Sequence, residues 1–339
     1  MINTVQKEYQ NALELNKLIN SAENILIIQA DNPDSDSLGS ALLMESIAGK
    51  LHKNTYLYCG IDMPTYIKYI EGWDRVEKNI PNNFDLTIFV DVSTITLFEK
   101  LNSSLLNKIK QKPSIVLDHH KTTAETIDFA SVIINDTGRA STGELIYLIA
   151  KQLHWTLDVN ELNLVANTIL GDTQGLSNQL ATPGTYRIMA DMIESGVDRP
   201  VLEDRRREQS KMPLEIFKYK ADLINKCEFH YDNKIALATI GQVEINKYSP
   251  SYNPSALIQG DLLQTEGVLI AIVFKIYDDG HITASIRCNT GAPMASKLAQ
   301  EFQGGGHDYA SGFKIINESF TELKNKVLTK VQELLLELK

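Results

Sequence analysis

Three short apolar runs most constrain what this chain can fold into, because each ends in an acidic or imidazole-bearing motif. They are Asn24–Ala30, Leu86–Val90 and Ser114–Leu117. They are followed by Asp31-Asn32-Pro33-Asp34-Ser35-Asp36, by Asp91-Val92 and by Asp118-His119-His120. Runs this rich in β-branched residues, without polar alternation, suit strands buried on both faces of a parallel sheet. Apolar residues recur at helical spacing over Ser40–Leu51 and Leu97–Ile109, so the order reads β-α-β-α-β. Ligands of open α/β sheets bind outside the carboxyl ends of the strands, where all three motifs fall. The expected fold is α/β: an N-terminal doubly wound, mainly parallel sheet domain followed by a smaller α/β domain.

The pattern changes in the second half. Residues 185–226 mix Arg205-Arg206-Arg207 with spaced apolar positions such as Met212, Leu214, Ile216 and Phe217, as a helical linker would. Ile235–Ile240 and Val268–Ile276 read as strands, and Asp278-Asp279-Gly280 as a hairpin turn into His281–Cys288. A helix over Ala292–Phe302 then meets Gly304-Gly305-Gly306-His307, and a last helix carries Leu323, Val327, Val331, Leu334 and Leu335. The expected domains are 1–190 and 227–339, joined by a helical linker over 191–226.

A chain of 339 residues exceeds the size at which single cores stop growing, which agrees with two domains. Cys59, Cys227 and Cys288 have neither metal-type spacing nor a disulfide pattern, so a reducing cytoplasm is the simplest location. Met1–Asn20 is polar and unlike a signal peptide, and the longest apolar run, Val268–Phe274, is far short of a membrane span. A formal charge of −10 argues against a broad basic face for long nucleic acid. It leaves room for short nucleotides, because bound divalent cations reverse the field locally.

The chemistry lies in four motifs: the three above and Gly171-Asp172-Thr173, which closes the helical stretch Leu162–Leu170. Taken alone, each has a plain explanation. Asp34 and Asp36 could cap a turn, Asp91 could cap the end of its strand, Asp172 could end a helix, and two histidines could sit in a surface loop. Together they form a cluster of carboxylates that repel one another unless a cation neutralises them. Oxygen donors with one or two imidazoles suit manganese or magnesium. Two such ions, bridged by a carboxylate such as Asp91 and spaced about 3.5–4 Å apart, polarise a phosphoryl oxygen and generate hydroxide. Asp118 is placed to orient a neighbouring imidazole. In the second half, Gly304, Gly305 and Gly306 let a ligand approach the main chain, as an anion-binding nest would. His307 adds a donor, and Arg287 a planar phosphate clamp.

This ordered set of motifs, spread over residues 24–315, resembles the DHH phosphoesterase family with its associated C-terminal Gly-Gly-Gly-His domain. The length is similar to the compact bacterial branch that contains nanoRNases, pAp phosphatases and cyclic-dinucleotide phosphodiesterases. The resemblance implies an active site between the two domains, with two manganese ions, or magnesium, held by the first. It implies Asp36, Asp91, His119 and Asp172 around one ion, and Asp34 and Asp91 at the other. Asp91 and His120 would be the catalytic residues, with His120 on the scissile phosphate. Arg287, Gly304, Gly305, Gly306 and His307 would bind the rest of the substrate. That substrate would be a short RNA or DNA oligonucleotide, a dinucleotide such as pApA, or pAp; no membrane is involved, and a homodimer is compatible.

The sequence departs from the family pattern twice. Ala30 stands where the family usually has a metal-binding histidine, which leaves the site at Asp34 incomplete unless Asp31 substitutes. Gln174 interrupts the usual Asp-Thr-Gly after Asp172. Two other functions compete. A family II-like inorganic pyrophosphatase shares the opening motif but not the Gly-Gly-Gly-His run. A nucleotide-binding regulatory protein with weakened catalysis is invited by Ala30.

Overall fold

In the computed structural model the described residues are 8–98, 100–121, 126–209, 211–249 and 252–338. The chain divides into two compact units, Met1–Lys211 and Met212–Lys339.

The first unit is built on a six-stranded sheet of β1 (Asn24–Ile28), β2 (Asn54–Tyr58), β3 (Val76–Glu77), β4 (Leu86–Val90), β5 (Ser114–Asp118) and β6 (Val132–Asn135). All neighbours are parallel, in the order β3-β2-β1-β4-β5-β6. Its helices are α1 (Ala12–Ser21), α2 (Ser35–Lys50), α3 (Ser103–Lys110), α4 (Thr142–Gln152), α5 (Val159–Asp172), α6 (Pro183–Glu194) and α7 (Arg199–Gln209). The alternation of side chains along each strand splits the core. Ile25, Ile27, Ile88, Val90, Ile115 and Leu117 face one hydrophobic cluster with residues of α1, α2, α4 and α5. Leu26, Ile28, Phe89 and Val116 face another with Phe84, Phe98 and Ile109. A strand packed on both sides has no place for a polar face, which explains the uninterrupted apolar runs.

On the first face, α2, α4 and α5 pack backbone to side chain. A Cβ at Gly39 would stand 2.6 Å from Thr168 Cγ2, and one at Gly143 would stand 2.1 Å from Thr168 Oγ1. Only glycine permits this approach. Strand order reverses between β1 and β4, and the crevice at such a reversal is where a doubly wound sheet binds ligands. Here it is flanked by the loop after β1 and by Asp91 after β4.

The second unit begins with α8 (Leu214–Asn225) and holds a mixed sheet in the order β11-β12-β10-β9-β8-β7. Its strands are β7 (Glu228–His230), β8 (Ile235–Ile240), β9 (Ile270–Ile276), β10 (His281–Cys288), β11 (Gly305–His307) and β12 (Ala310–Ile316). The helices α9 (Gln242–Tyr248), α10 (Pro254–Gln264), α11 (Ala295–Glu301) and α12 (Phe320–Glu337) complete it. Leu323, Val327, Val331 and Leu334 of α12 are buried against β9, β10 and α11, as their spacing predicts. No described helix is long and apolar enough to cross a membrane, and none of the three cysteines is paired.

Several local expectations need correction. The helix expected over Ser40–Leu51 starts at Ser35, because Asp34 and Ser37 form a reciprocal capping box across its first turn. The helix expected from Leu97 starts at Ser103, where Asn102 accepts a hydrogen bond from the Leu105 amide; Ile95–Leu97 is a separate 3-10 turn. Strands β2 and β6 went unrecognised. Asn54–Tyr58 carries too many polar residues for a buried-strand signature, and Val132–Asn135 is only four residues long. The glycine run is not a nest: Gly305–His307 is extended and paired with β12.

Candidate metal centre

The loop after β1 turns directly into α2, so the roles of its two aspartates divide. Asp34 is the N-cap: its Oδ1 accepts from the amides of Asp36 and Ser37, both at 3.0 Å. Asp36, the second residue of α2, is fully buried. Its Oδ2 accepts from the Thr142 amide at 2.7 Å, and its Oδ1 from the Gly143 amide at 3.1 Å and the Ser40 hydroxyl at 3.0 Å. Those amides are the free N–H groups of the α4 N-terminus, whose dipole favours an anion. The arrangement stabilises a carboxylate deep in the crevice without a cationic side chain.

Asp91 leaves β4 in the left-handed region, at φ 60°. Asparagine and aspartate tolerate this conformation better than most residues, and it turns the carboxylate back over the strand end. Its Oδ1 accepts from the Thr142 hydroxyl at 3.0 Å. At the end of β5, Asp118 Oδ1 accepts from the amides of His119 at 2.8 Å and His120 at 3.2 Å, and faces His120 Nδ1 at 2.9 Å. The two histidines therefore diverge, with ring centroids 4.4 Å apart. His119 is buried and His120 exposed.

His119 is the centre of the constellation. Its Nδ1 lies 3.2 Å from the Arg139 carbonyl, which keeps a proton there, so that the neutral ring presents its lone pair at Nε2. Nε2 is surrounded by Asp172 Oδ2 at 3.1 Å, Asp36 Oδ2 at 3.5 Å and Asp91 Oδ1 at 3.7 Å. None of these is aligned as a hydrogen bond, so among the described residues this buried nitrogen has no hydrogen-bond partner. An imidazole nitrogen aimed among three carboxylates takes either a proton or a divalent cation, for which it completes a donor set. Asp36, His119 and Asp172 offer ligand atoms within 4.8 Å of one another, as do Asp91, His119 and His120. Asp34 belongs to neither group.

The electrostatics agree. Burial raises the pKa of Asp34, with Asp36 adding to it. Burial also lifts Asp91 well above the usual carboxylate range, reinforced by Asp36, Asp34 and Asp172. Asp172 is pushed up to about 7 by burial and by Asp36. Burial opposes charge on His119, yet the carboxylates of Asp172 and Asp36 outweigh it and raise its pKa to about 9. Asp118 holds His120 above its ordinary value against the effect of burial. Several carboxylates this close cannot all ionise without positive charge among them.

The structure also answers the question raised by Ala30. Ala30 is buried in the apolar cluster with Leu26, Ile28 and Tyr58, and contributes no donor. Asp31 is in neither ligand group; its Oδ1 accepts from the Gly60 amide and its Oδ2 from the Lys100 amide, both at 2.8 Å. Both oxygens serve loop backbone.

In the second unit, register places His307, Ala310 and Arg287 side by side across β11, β12 and β10. Arg287 is exposed. The side chain of His307 lies outside the described residues. A Cβ at Gly304 would stand 2.2 Å from the Gly312 carbonyl oxygen, and one at Gly306, where φ is 136°, would stand 2.6 Å from the Ala310 carbonyl oxygen. Strand packing requires glycine at 304 and 306 but not at 305. Two residues that support the cluster, Thr142 and Arg139, escaped the sequence reading. The available signal was Ser141-Thr142-Gly143-Glu144, a helix-start pattern in which Ser141 Oγ accepts from the Glu144 amide.

Residues 24–169 match the DHH family, N-terminal domain, and residues 235–337 the DHHA1 domain. The chain is 24% identical over 309 residues to an uncharacterized protein, MG371 homolog, of Mycoplasma pneumoniae, covering 88% of each. It is 23% identical to the bifunctional oligoribonuclease and PAP phosphatase NrnA of Bacillus subtilis, over 89% of this chain and 92% of that one. The crystal structure of an exopolyphosphatase-related protein from Bacteroides fragilis superposes with a TM-score of 0.82 over 95% of both chains, at 18% identity. This last likeness is one of fold.

Proposed function

The chain belongs to the DHH family of phosphoesterases, and from that premise we propose that it is a divalent-metal-dependent hydrolase of short oligonucleotides, linear dinucleotides such as pApA, or pAp. The observation that carries this reading is His119 Nε2, buried and without a hydrogen-bond partner among Asp36, Asp91 and Asp172. Those four residues would hold manganese, with magnesium as the alternative. The resemblance of the chain to NrnA, whose name states oligoribonuclease and PAP phosphatase activities, supports the nucleotide class.

When bound, the metal supplies Lewis acidity at a phosphoryl oxygen and a hydroxide at neutral pH. The chain's own residues do the positioning. Asp36, anchored by the α4 amides, and Asp91, anchored by Thr142, hold fixed directions in the crevice. Asp118 holds the exposed His120 ring, which in this reading meets the scissile phosphate and carries a proton on the ring. The second unit would take the far part of the substrate through Arg287, Gly304, Gly305, Gly306 and His307. Asp34 would contribute to a second ion, and Asp91 would be shared with the first. That second position would have fewer ligands, because Ala30 brings none.

The test is incubation of the protein with pApA and manganese, followed by the same assay on Asp91→Asn. AMP release by the parent and its loss in the variant are expected; a parent that releases no AMP from pApA and no phosphate from pAp overturns the reading.

A further inference from the structure

Asp34 also lines a cavity of about 530 Å³ whose walls come wholly from the first unit. Pockets of roughly 300–1,000 Å³ are the size that holds a small-molecule ligand. Three segments build it: Tyr66 and Tyr69 after β2, the Gly171–Gly175 turn that adjoins Asp172, and α7 with Arg199 and Arg206. It therefore borders the metal centre at two of its ligand-bearing segments.

The charge in this cavity departs from the rest of the chain. Against a formal charge of −10 overall, two arginines here balance the carboxylates of Asp34 and Glu203. Glu203 is already engaged: Arg206 donates to it through Nε at 2.9 Å and Nη2 at 2.8 Å, and Arg207 through Nε at 2.8 Å. Arg199 is different. It is half-buried, and among the described residues its guanidinium makes no hydrogen bond or ion pair. Its Nη2 lies 3.8 Å from where a Cβ on Gly175 would stand, so the guanidinium reaches the turn that follows Asp172. A half-buried planar fork without a carboxylate is a ready partner for phosphate. Tyr66 supplies a second kind of contact. Its hydroxyl donates to the Pro33 carbonyl at 2.8 Å, anchoring the ring at the cavity wall, while the residue remains 56% exposed. Aromatic faces of this kind stack nucleic-acid bases without regard to sequence.

We infer that this cavity is a second-nucleotide subsite, in which Arg199 takes the phosphate of the nucleotide unit next to the one being cut and Tyr66 stacks its base. The inference rests on the nucleotide phosphoesterase reading above.

The probe is AMP, titrated calorimetrically into the full chain in EDTA, which removes metal-dependent binding. AMP binds the parent. Arg199→Gln weakens AMP about tenfold or more and leaves adenosine unaffected; Tyr66→Ala weakens both. Arg187→Gln, which replaces an exposed arginine of α6 outside the cavity, binds AMP as the parent does. If Arg199→Gln melts early, Arg199→Lys decides the point: charge without the fork weakens AMP by a smaller factor. Absence of AMP binding by the parent in EDTA, or binding that neither Arg199 variant alters, overturns the inference. Assays with pApA and manganese separate the two readings. Arg199-dependent AMP binding without cleavage removes the phosphodiesterase and keeps the subsite, whereas cleavage with Arg199-independent AMP binding does the reverse.

Discussion

Thr142 donates its hydroxyl to Asp91 Oδ1 at 3.0 Å, while its own amide serves Asp36 Oδ2 at 2.7 Å. One residue at the start of α4 thus sets the direction of two carboxylates, one in the first turn of α2 and one at the end of β4. Groups that orient metal ligands typically contribute about 10–100-fold in metal affinity. Thr142→Val keeps the amide and removes the hydroxyl, so Asp36 stays held and Asp91 loosens. Manganese affinity measured by calorimetry is expected to fall by about that factor. Unchanged affinity would show that Asp91 needs no such support.

Asp118 acts on His120 in a similar way, through a 2.9 Å contact to Nδ1. Because that carboxylate is the largest influence raising the His120 pKa, Asp118→Asn lowers it. An NMR titration of the imidazole in the variant should show the drop, and hydrolysis should fall by about 10–100-fold. A His120 pKa that stays where it is in the parent contradicts the assignment.

Metal-free stability should depend on pH in a definite direction. Asp172 at about 7 and His119 at about 9 are both raised in the folded protein, above unfolded values of about 3.9 and 6.5. The native state therefore binds more protons, and by linkage its stability declines as pH rises. The Asp172 contribution fades from about pH 4 through 7, and that of His119 from about 6.5 through 9. In EDTA the melting temperature is expected to fall between pH 5 and pH 9. Manganese, which replaces those protons, should restore it most at the alkaline end. A melting temperature in EDTA that climbs over this range would refute the protonated cluster.

Gly306 sits at φ 136°, and a Cβ there would stand 2.6 Å from the Ala310 carbonyl oxygen and from Ser311 Cα. Gly306→Ala adds backbone strain and a clash with backbone that cannot rotate away. A cost of about 1–3 kcal/mol is expected from such conformations, read as a lower denaturation midpoint of the full chain. Gly305→Ala, where a Cβ would meet nothing, is the control.

How far the sequence spoke depended on how local the information was. The runs Leu86–Val90 and His281–Cys288 coincide with β4 and β10, because burial on both faces and clean alternation each leave a direct mark. The family motifs placed Asp36, Asp91, His119 and Asp172 in one set, and the fold brings them around one imidazole nitrogen. Element boundaries were less legible. The Asp34–Ser37 capping box looks in one dimension like any polar loop, and the half-polar β2 resembles no buried strand.

By itself the sequence determined the class of fold, the motifs at the strand ends and the gap at Ala30, since each is written in adjacent residues. Only tertiary structure decided what the gap means and what holds the site. Asp31 was available by its position in the chain, but the amides of Gly60 and Lys100 hold its carboxylate on loop backbone, and it joins neither ligand group. The anchors of Asp36 and Asp91 come from Thr142 and Gly143, and the tautomer of His119 from the Arg139 carbonyl. These partners lie from 20 to 107 residues away in sequence. Hydrogen bonds between groups that distant depend on how three helices pack on one sheet, and no pattern along the chain records that.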